Sequence, residues 1–227
     1  MEPGLYIVAT PIGNLSDITL RALAVLKESD LIVCEDTRRT LILLNHYQIK
    51  NKRLLSYHDH NKRERTPEIV SFLKRGKKVS LVSDSGTPGI SDPGFYLIRE
   101  CVREGIRVIP LPGPSAIITA LVVSGLPCDR FVYEGFLSHR EGKKRKRLLA
   151  LKDEERTMVF YEAPTRLLKT LKAMAEIFGE RECVIARELT KKFEEILRGK
   201  ISEIIQVLES REKIKGEIVI VLAGKKE

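Results

Sequence analysis

Short apolar runs alternate with amphipathic stretches along nearly the whole chain, and that alternation restricts the fold more than any other feature. Val79-Ser80-Leu81-Val82 shows it best. The run is apolar nearly throughout, as a strand buried on both faces should be. Similar runs at 5–10, 31–35, 53–57 and 108–111 read as strands, with helical patterns at 18–27, 40–47, 67–75 and 95–104 between them. Alternating strands and helices argue for a parallel or mostly parallel sheet with helices on both faces. After Pro112-Gly113-Pro114 the pattern restarts with a helix at 115–123. Strands follow at 131–134, 157–161 and 184–186, helices at 143–151, 165–178 and 201–210, and a β-branched strand closes the chain at 217–222. The expected fold is α/β: two αβ domains with mostly parallel or mixed sheets, 1–113 and 114–227.

Composition fits that reading. A chain of 227 residues, 43% hydrophobic and 31% charged, is neither disordered nor collagen-like nor a coiled coil. It buries roughly 70% of its unfolded surface and needs no disulfide or metal staple. Cys34, Cys101, Cys128 and Cys183 all sit in apolar runs without a C-x-x-C pair, so they read as buried thiols. The N-terminus shows no basic segment followed by an apolar one, so no signal peptide is expected. The longest uncharged run, 108–128, is broken by prolines and glycines, and its core at 116–126 is shorter than the ~20 apolar residues a bilayer needs. A soluble, cytoplasmic protein without membrane contact is expected.

Net charge is +9, with a sequence pI near 9.4. A pI above ~9 is the electrostatic footprint of nucleic-acid binders, or else a solvated Lys/Glu-rich surface. Residues 1–113 carry 17 basic and 13 acidic groups, and residues 114–227 carry 23 and 18. The single run Lys143-Lys144-Arg145-Lys146-Arg147 accounts for all the excess of the second half. Such concentration suits a phosphate-binding patch.

In open α/β sheets ligands bind outside the carboxyl ends of the strands. There the chain carries Pro11-Ile12-Gly13-Asn14, then the Gly/Pro-rich loop 83–94, then Pro112-Gly113-Pro114-Ser115-Ala116 entering a helix. Backbone-exposing turns at three strand ends argue for a ligand site. None matches a dinucleotide or P-loop fingerprint.

Val8-Ala9-Thr10-Pro11-Ile12-Gly13-Asn14 with Thr19-Leu20-Arg21-Ala22-Leu23, the 83–94 loop and Pro112-Gly113-Pro114-Ser115-Ala116 resemble the tetrapyrrole (corrin/porphyrin) methylases. The rRNA-modifying branch of that family is similar in Glu35-Asp36-Thr37-Arg38, His58-Asp59-His60-Asn61 and Ser83-Asp84-Ser85-Gly86-Thr87-Pro88. It is similar again in Tyr161-Glu162-Ala163-Pro164-Thr165-Arg166 and Ala186-Arg187-Glu188-Leu189-Thr190-Lys191. Where tetrapyrrole enzymes carry Gly-Asp-Pro, this chain reads Gly86-Thr87-Pro88, which speaks against a tetrapyrrole or precorrin small-molecule methyltransferase, the alternative reading. The His-Glu-His-Asn-Glu common in the rRNA branch reads His58-Asp59-His60-Asn61-Lys62, so any role of the final Glu passes to Glu64.

The resemblance implies S-adenosylmethionine-dependent 2′-O-methylation of a cytidine ribose in the decoding centre of 16S rRNA. It also implies a homodimer, with the donor in a cleft between the domains. It places donor binding at Pro11, Asp84, Ser85, Gly86, Thr87, Pro88 and Ser91, at Ser115 and Ala116, and at Tyr161, Leu189 and Glu217.

Catalytic candidates are Glu35, Asp36, Arg38, His58, Asn61 and Glu64. A ribose hydroxyl is a poor nucleophile at neutral pH and gains from a nearby base. His58, with an ordinary pKa near ~6.5, is the expected base. Asp36 would orient a partner, and Arg38 would grip a flanking phosphate. Alternatively Asp36 or Thr37 caps a helix, and His58-x-His60 is a polar turn or, less simply, half of a metal site. No metal is expected. Tyr161 either stacks on adenine or closes the core.

Overall fold

The computed structural model describes residues 1–225. They form two compact units, Met1–Ser115 and a second beginning at Ala116.

The first unit is one parallel sheet. Its strands are β1 (Gly4–Val8), β2 (Leu31–Cys34), β3 (Leu54–Ser56), β4 (Lys78–Val82) and β5 (Val108–Leu111), in the order β3-β2-β4-β1-β5. The helices between them are α1 (Leu20–Glu28), α2 (Thr37–His46), α3 (Lys62–Lys74) and α4 (Gly94–Arg103). Alternate side chains enter two separate cores, as the period of a strand requires. Tyr6, Val8, Ile32 and Cys34 pack with α1 and α2. Leu5, Ile7, Leu31 and Val33 pack with α3 and α4 on the opposite face. The polar interruption of β4, Ser80, is fully buried; its hydroxyl pairs with that of Ser29 at 2.5 Å, and Ser29 also donates to Val25 O.

Helices α2 and α3 start well before the positions the sequence suggested. Asp36 caps α2, which therefore begins at Thr37. Helix α3 begins at Lys62 and carries Pro67 inside it. The hydrogen bond that Pro67 cannot donate would have ended on Arg63, which is exposed to water.

The second unit is a mixed sheet. Its strands are β6 (Phe131–Phe136), β7 (Thr157–Glu162), β8 (Glu182–Arg187), β9 (Glu195–Lys200) and β10 (Ile218–Leu222). The order is β6-β7-β10-β8-β9, with only β6 and β7 parallel. Helices α6 (Glu141–Ala150), α7 (Leu167–Phe178) and α8 (Ile201–Glu209) cover one face through Leu148, Leu171, Met174 and Ile204. Helix α5 (Ala116–Ser124) lies against β8, β9 and β10. Strand β9 escaped the sequence reading, because Glu-Ile-Leu-Arg-Gly-Lys is a half-exposed edge without an apolar run.

Cys34, Cys101 and Cys183 are buried, and burial pushes the thiols of Cys101 and Cys183 up to about 12. Cys128 is exposed, contrary to expectation: its neighbours Pro127 and Asp129 belong to the turn between α5 and β6, not to a strand. Among the described residues no helix is long and apolar enough to cross a membrane.

Glu195 accepts from both Arg211 (2.6 and 2.8 Å) and Arg187 (2.9 Å). The Arg211 bond above all, then Arg187, lowers its carboxyl to about 2. A depressed carboxylate stabilises fully above the unfolded value near ~4.3 and ceases to do so as pH falls through the folded value. Thermal melts of the wild type should therefore lose stability between about pH 4 and pH 2, and Arg211→Ala should lose less over that interval. Parallel pH dependences would remove this pair from the acid response.

Candidate active site

All five strands of the first sheet are parallel, so their carboxyl ends share one edge. The connections leaving β1 and β2 run over the α1/α2 face, whereas the one leaving β4, which lies between them, runs over the other. A crevice opens where connections part in this way. The residues there are Ser83 and Asp84 after β4, Thr10 and Pro11 after β1, and Glu35 and Asp36 after β2. A cavity of about 200 Å³ lies at this point, walled by Pro11, Leu15, Ile42 and Leu43 and edged by Thr10, Arg39, Thr40, Ser83 and Asp84.

The loops around it are tied together. Thr10 and Gly86 exchange two backbone hydrogen bonds of 2.9 Å, and Thr10 Oγ1 donates to Ser83 O. Gly86 has φ +77, a conformation a side chain would strain. Thr87 Oγ1 donates to Pro114 O, and a Cβ on Gly113 would stand 2.7 Å from that of Ala9, so the third loop needs glycine to close on the first. Asp92 fastens the far end of the loop by accepting from Gly89 N and Gly94 N. Pro88 is buried, Ser85 and Ser91 are exposed, and Ser91 has φ 64. Ser115 closes the first unit, and Ala116 opens α5 in the second.

Acidic groups converge on this edge. Asp84 accepts from Asp36 N at 3.0 Å and faces Arg39 at 3.6 Å. Glu35 is pushed up from the ordinary carboxylate range, first by partial desolvation of its carboxyl and then by Asp84, Asp92 and Asp59, against the pull of Arg39. Asp36 behaves oppositely. Its side chain accepts from Nε and Nη2 of the Arg38 guanidinium and from the Arg38 backbone N–H, which hold it at about 2. It is the helix cap, and Arg38 is its partner.

His58 is placed differently from the sequence expectation. Asn61 Oδ1 accepts from His58 N, while Asn61 Nδ2 reaches Ser56 O at 3.1 Å and His58 Nε2 at 3.3 Å. His58 Nδ1 is buried without a partner. Both ring nitrogens are thus turned into the β3–α3 connection, so His58 and Asn61 hold that turn. Glu64 is exposed in the first turn of α3, where a negative charge suits the helix N-terminus. Among the described residues no three His, Cys, Asp or Glu side chains are grouped to hold a metal.

In the second unit Tyr161, Leu189 and Glu217 share one end of the sheet, at the close of β7, just past β8 and just before β10. Tyr161 packs edge-on to Tyr133 at 5.3 Å and tilted to Phe136 at 5.5 Å, and burial raises its hydroxyl pKa. Glu217 accepts from Lys191, and Leu189 is buried.

The basic run is not a patch of five free cations. Lys144 is buried and paired with Glu141; Arg145 pairs with Glu176; Arg147 grips Glu134 with two bonds of 2.6 and 2.7 Å. Lys143 and Lys146 are exposed and without an ion pair among the described residues. Adjacent residues of a helix point in different directions, so a charge run divides among several faces.

Arg39 and Thr40 escaped the sequence reading, although Asp-Thr-Arg-Arg-Thr signals a cap followed by a helix from Thr37. That start puts Arg39 in the first turn, facing the cavity.

A parallel sheet with its working loops on one edge, followed by a mixed-sheet unit, is the architecture of a methylase. Residues 4–205 match the tetrapyrrole (corrin/porphyrin) methylases, and the chain belongs to that family. It is similar to ribosomal RNA small subunit methyltransferase I of Thermotoga maritima, 56% identical over 222 residues, 97% of this chain and 98% of that one. The protein of that name from Escherichia coli O157:H7 is 50% identical over 224 residues, 98% of this chain and 78% of its own. Among solved structures, cobalt precorrin-4 methyltransferase shares the fold with a TM-score of 0.70 at 19% identity, covering 96% of this chain and 94% of that one. Uroporphyrin-III C-methyltransferase from Thermus thermophilus does so with 0.67 at 19% identity, covering 97% and 94%.

Proposed function

We propose that this chain methylates the 2′-hydroxyl of a cytidine ribose in the 16S RNA of the small ribosomal subunit, with S-adenosylmethionine as donor. The observation that carries the chemistry is the acid-rich carboxyl edge of the first sheet, where partial desolvation, then Asp84, Asp92 and Asp59, raise the pKa of Glu35. Identity above 50% to a relative named for small-subunit rRNA methylation supports the acceptor. An rRNA acceptor puts the reaction in the cytoplasm, and a homodimer belongs to the same reading.

The residues present suit a sulfonium donor. Carboxylates that repel one another are relieved by a nearby positive charge. When bound, S-adenosylmethionine supplies a methyl group on a positively charged sulfur. Asp84 would offset that charge. The main chain of residues 85–88, braced on Thr10 and Pro114, would hold the donor with Pro11 and Ser91.

Glu35 takes the role expected of His58. It stands just past β2 with its carboxylate in no hydrogen bond among the described residues, and its raised pKa makes it a stronger base than an ordinary carboxylate. It would accept the proton of the acceptor hydroxyl. Arg39, beside the cavity, is better placed than Arg38 to meet a phosphate, because Asp36 holds the Nε and Nη2 side of Arg38.

Small ribosomal subunits incubated with labelled S-adenosylmethionine and the enzyme, then digested to nucleosides, should yield 2′-O-methylcytidine. Label on uroporphyrinogen or a precorrin, with none in RNA, overturns the proposal.

Lys143 and Lys146 remain as candidate phosphate contacts. Changing both to Ala should lower the slope of log affinity against log salt by up to roughly 1.8, at ~0.9 per duplex phosphate. Lys144→Ala should instead lower thermal stability. An unchanged slope in the double variant shows a solvated face.

A further inference from the structure

The connection between β8 and β9, residues 188–194, holds Leu189, one of the expected donor residues, and beyond it Lys192 and Phe193, which the donor reading does not use. Glu188 and Thr190 have φ of 52° and 66°, a left-handed conformation that costs any residue with a side chain free energy. A dense set of bonds maintains the turn. Glu188 Oε1 accepts from Lys191 Nζ (2.8 Å) and from Glu217 N (2.9 Å). Glu194 Oε2 accepts from Thr190 N at 2.6 Å. Arg187 donates to Phe193 O at 3.2 Å and, through Nε, to Glu195.

The turn holds an aromatic ring in water. Phe193 is 67% exposed although its backbone is clamped. Lys192 Nζ lies 5.6 Å from the ring centroid, so one face meets a cation and the ring stays largely open to solvent. Lys191 is neutralised by Glu188 and Glu217, whereas Lys192 has no ion pair among the described residues. An exposed phenyl contributes little to the fold, so a strained, bonded turn that displays one suits recognition.

We propose that Phe193 is a stacking platform for an unpaired base of the substrate RNA, with Lys192 meeting an adjacent phosphate. The inference rests on the RNA acceptor proposed above and names a contact for it outside the donor loops. Nucleic acid is the occupant that uses both features: every base offers a flat face to the ring, and the backbone offers a negative charge to a free lysine. The overall charge of +9 favours the same partner.

The chain contains no tryptophan, which supplies a clean probe. Full-length Phe193→Trp should bind single-stranded RNA and small subunits as the wild type does. Its single indole fluorescence should be quenched by single-stranded RNA and not by a fully paired duplex. Phe193→Leu, apolar but without a π face, should bind single-stranded RNA roughly 10- to 100-fold more weakly, in the range of one lost base stack. Its melting temperature and S-adenosylmethionine affinity should match the wild type. Unchanged RNA affinity in Phe193→Leu, or an unquenched indole, overturns the proposal. A Leu variant that loses affinity for assembled subunits but not for protein-free RNA also overturns it, in favour of a protein contact. If the wild type neither binds nor methylates RNA, the acceptor reading falls as well; if it does both and Phe193→Leu equals it, only the platform falls.

Discussion

Glu162→Ala should destabilise the second unit by about 3 kcal/mol and lower its melting temperature by roughly 10–20 °C. Glu162 closes β7 with 2% of its surface exposed. Its Oε1 accepts from Ala163 N at 2.8 Å, its Oε2 accepts from the hydroxyl of buried Thr170 at 2.7 Å, and Arg166 stands against it at 3.2 Å. Arg166 in turn donates to Leu137 O at 2.6 Å, which ties the start of α7 to the chain just past β6. Removing the carboxylate strands a hydroxyl, a backbone N–H and a guanidinium together. The expected loss is at the low end for a broken buried pair because the Arg166 side chain is still 31% exposed. Glu162→Gln keeps one acceptor oxygen and should lose less. Urea unfolding of the two variants measures this, and a Glu162→Ala curve that overlays the wild type would mean the network contributes nothing net. Tyr161-Glu162-Ala163-Pro164-Thr165-Arg166 is thus in large part a structural clamp.

The second large effect is kinetic. Glu35→Gln should slow single-turnover methylation of small subunits by ~10²–10⁴-fold, the usual cost of removing a positioned base. Donor and RNA should both still bind. The wild-type rate should rise with pH as Glu35 ionises, above the ordinary carboxylate range because its pKa is raised. That limb should be missing in Glu35→Gln and present in His58→Ala. If His58→Ala loses the limb and Glu35→Gln keeps it, the imidazole is the base and the assignment to Glu35 is wrong.

Much of the fold is legible in the residues. Apolar runs of three to six residues with amphipathic stretches between them mark every strand except β9, whose polar edge character hides it. Loop chemistry is legible too: the glycines and prolines of residues 83–94 and 112–114 announce turns that expose backbone, and Gly86 and Gly113 close against the segment that follows β1. The individual roles were less legible. Asp36 and Glu35 are neighbours in sequence with similar chemistry. One becomes a cap at about 2 and the other a raised carboxylate, because Arg38 folds back onto Asp36, while Glu35 is partly desolvated and Asp84, Asp92 and Asp59 approach it from distant segments.

By itself, then, the sequence determined which segments become strands, the parallel character of the first sheet and the positions of the backbone-exposing loops. Those follow from local pattern: burial on two faces demands an apolar run, and a tight turn demands glycine or proline. Only the tertiary structure decided that β4 inserts between β2 and β1, which brings Asp84 to Asp36 and Arg39 across 48 and 45 positions of chain. Only it decided that Lys144, Arg145 and Arg147 spend their charge on Glu141, Glu176 and Glu134. Long-range pairings of this kind depend on which surfaces the packed elements turn toward each other, and no local spacing encodes that.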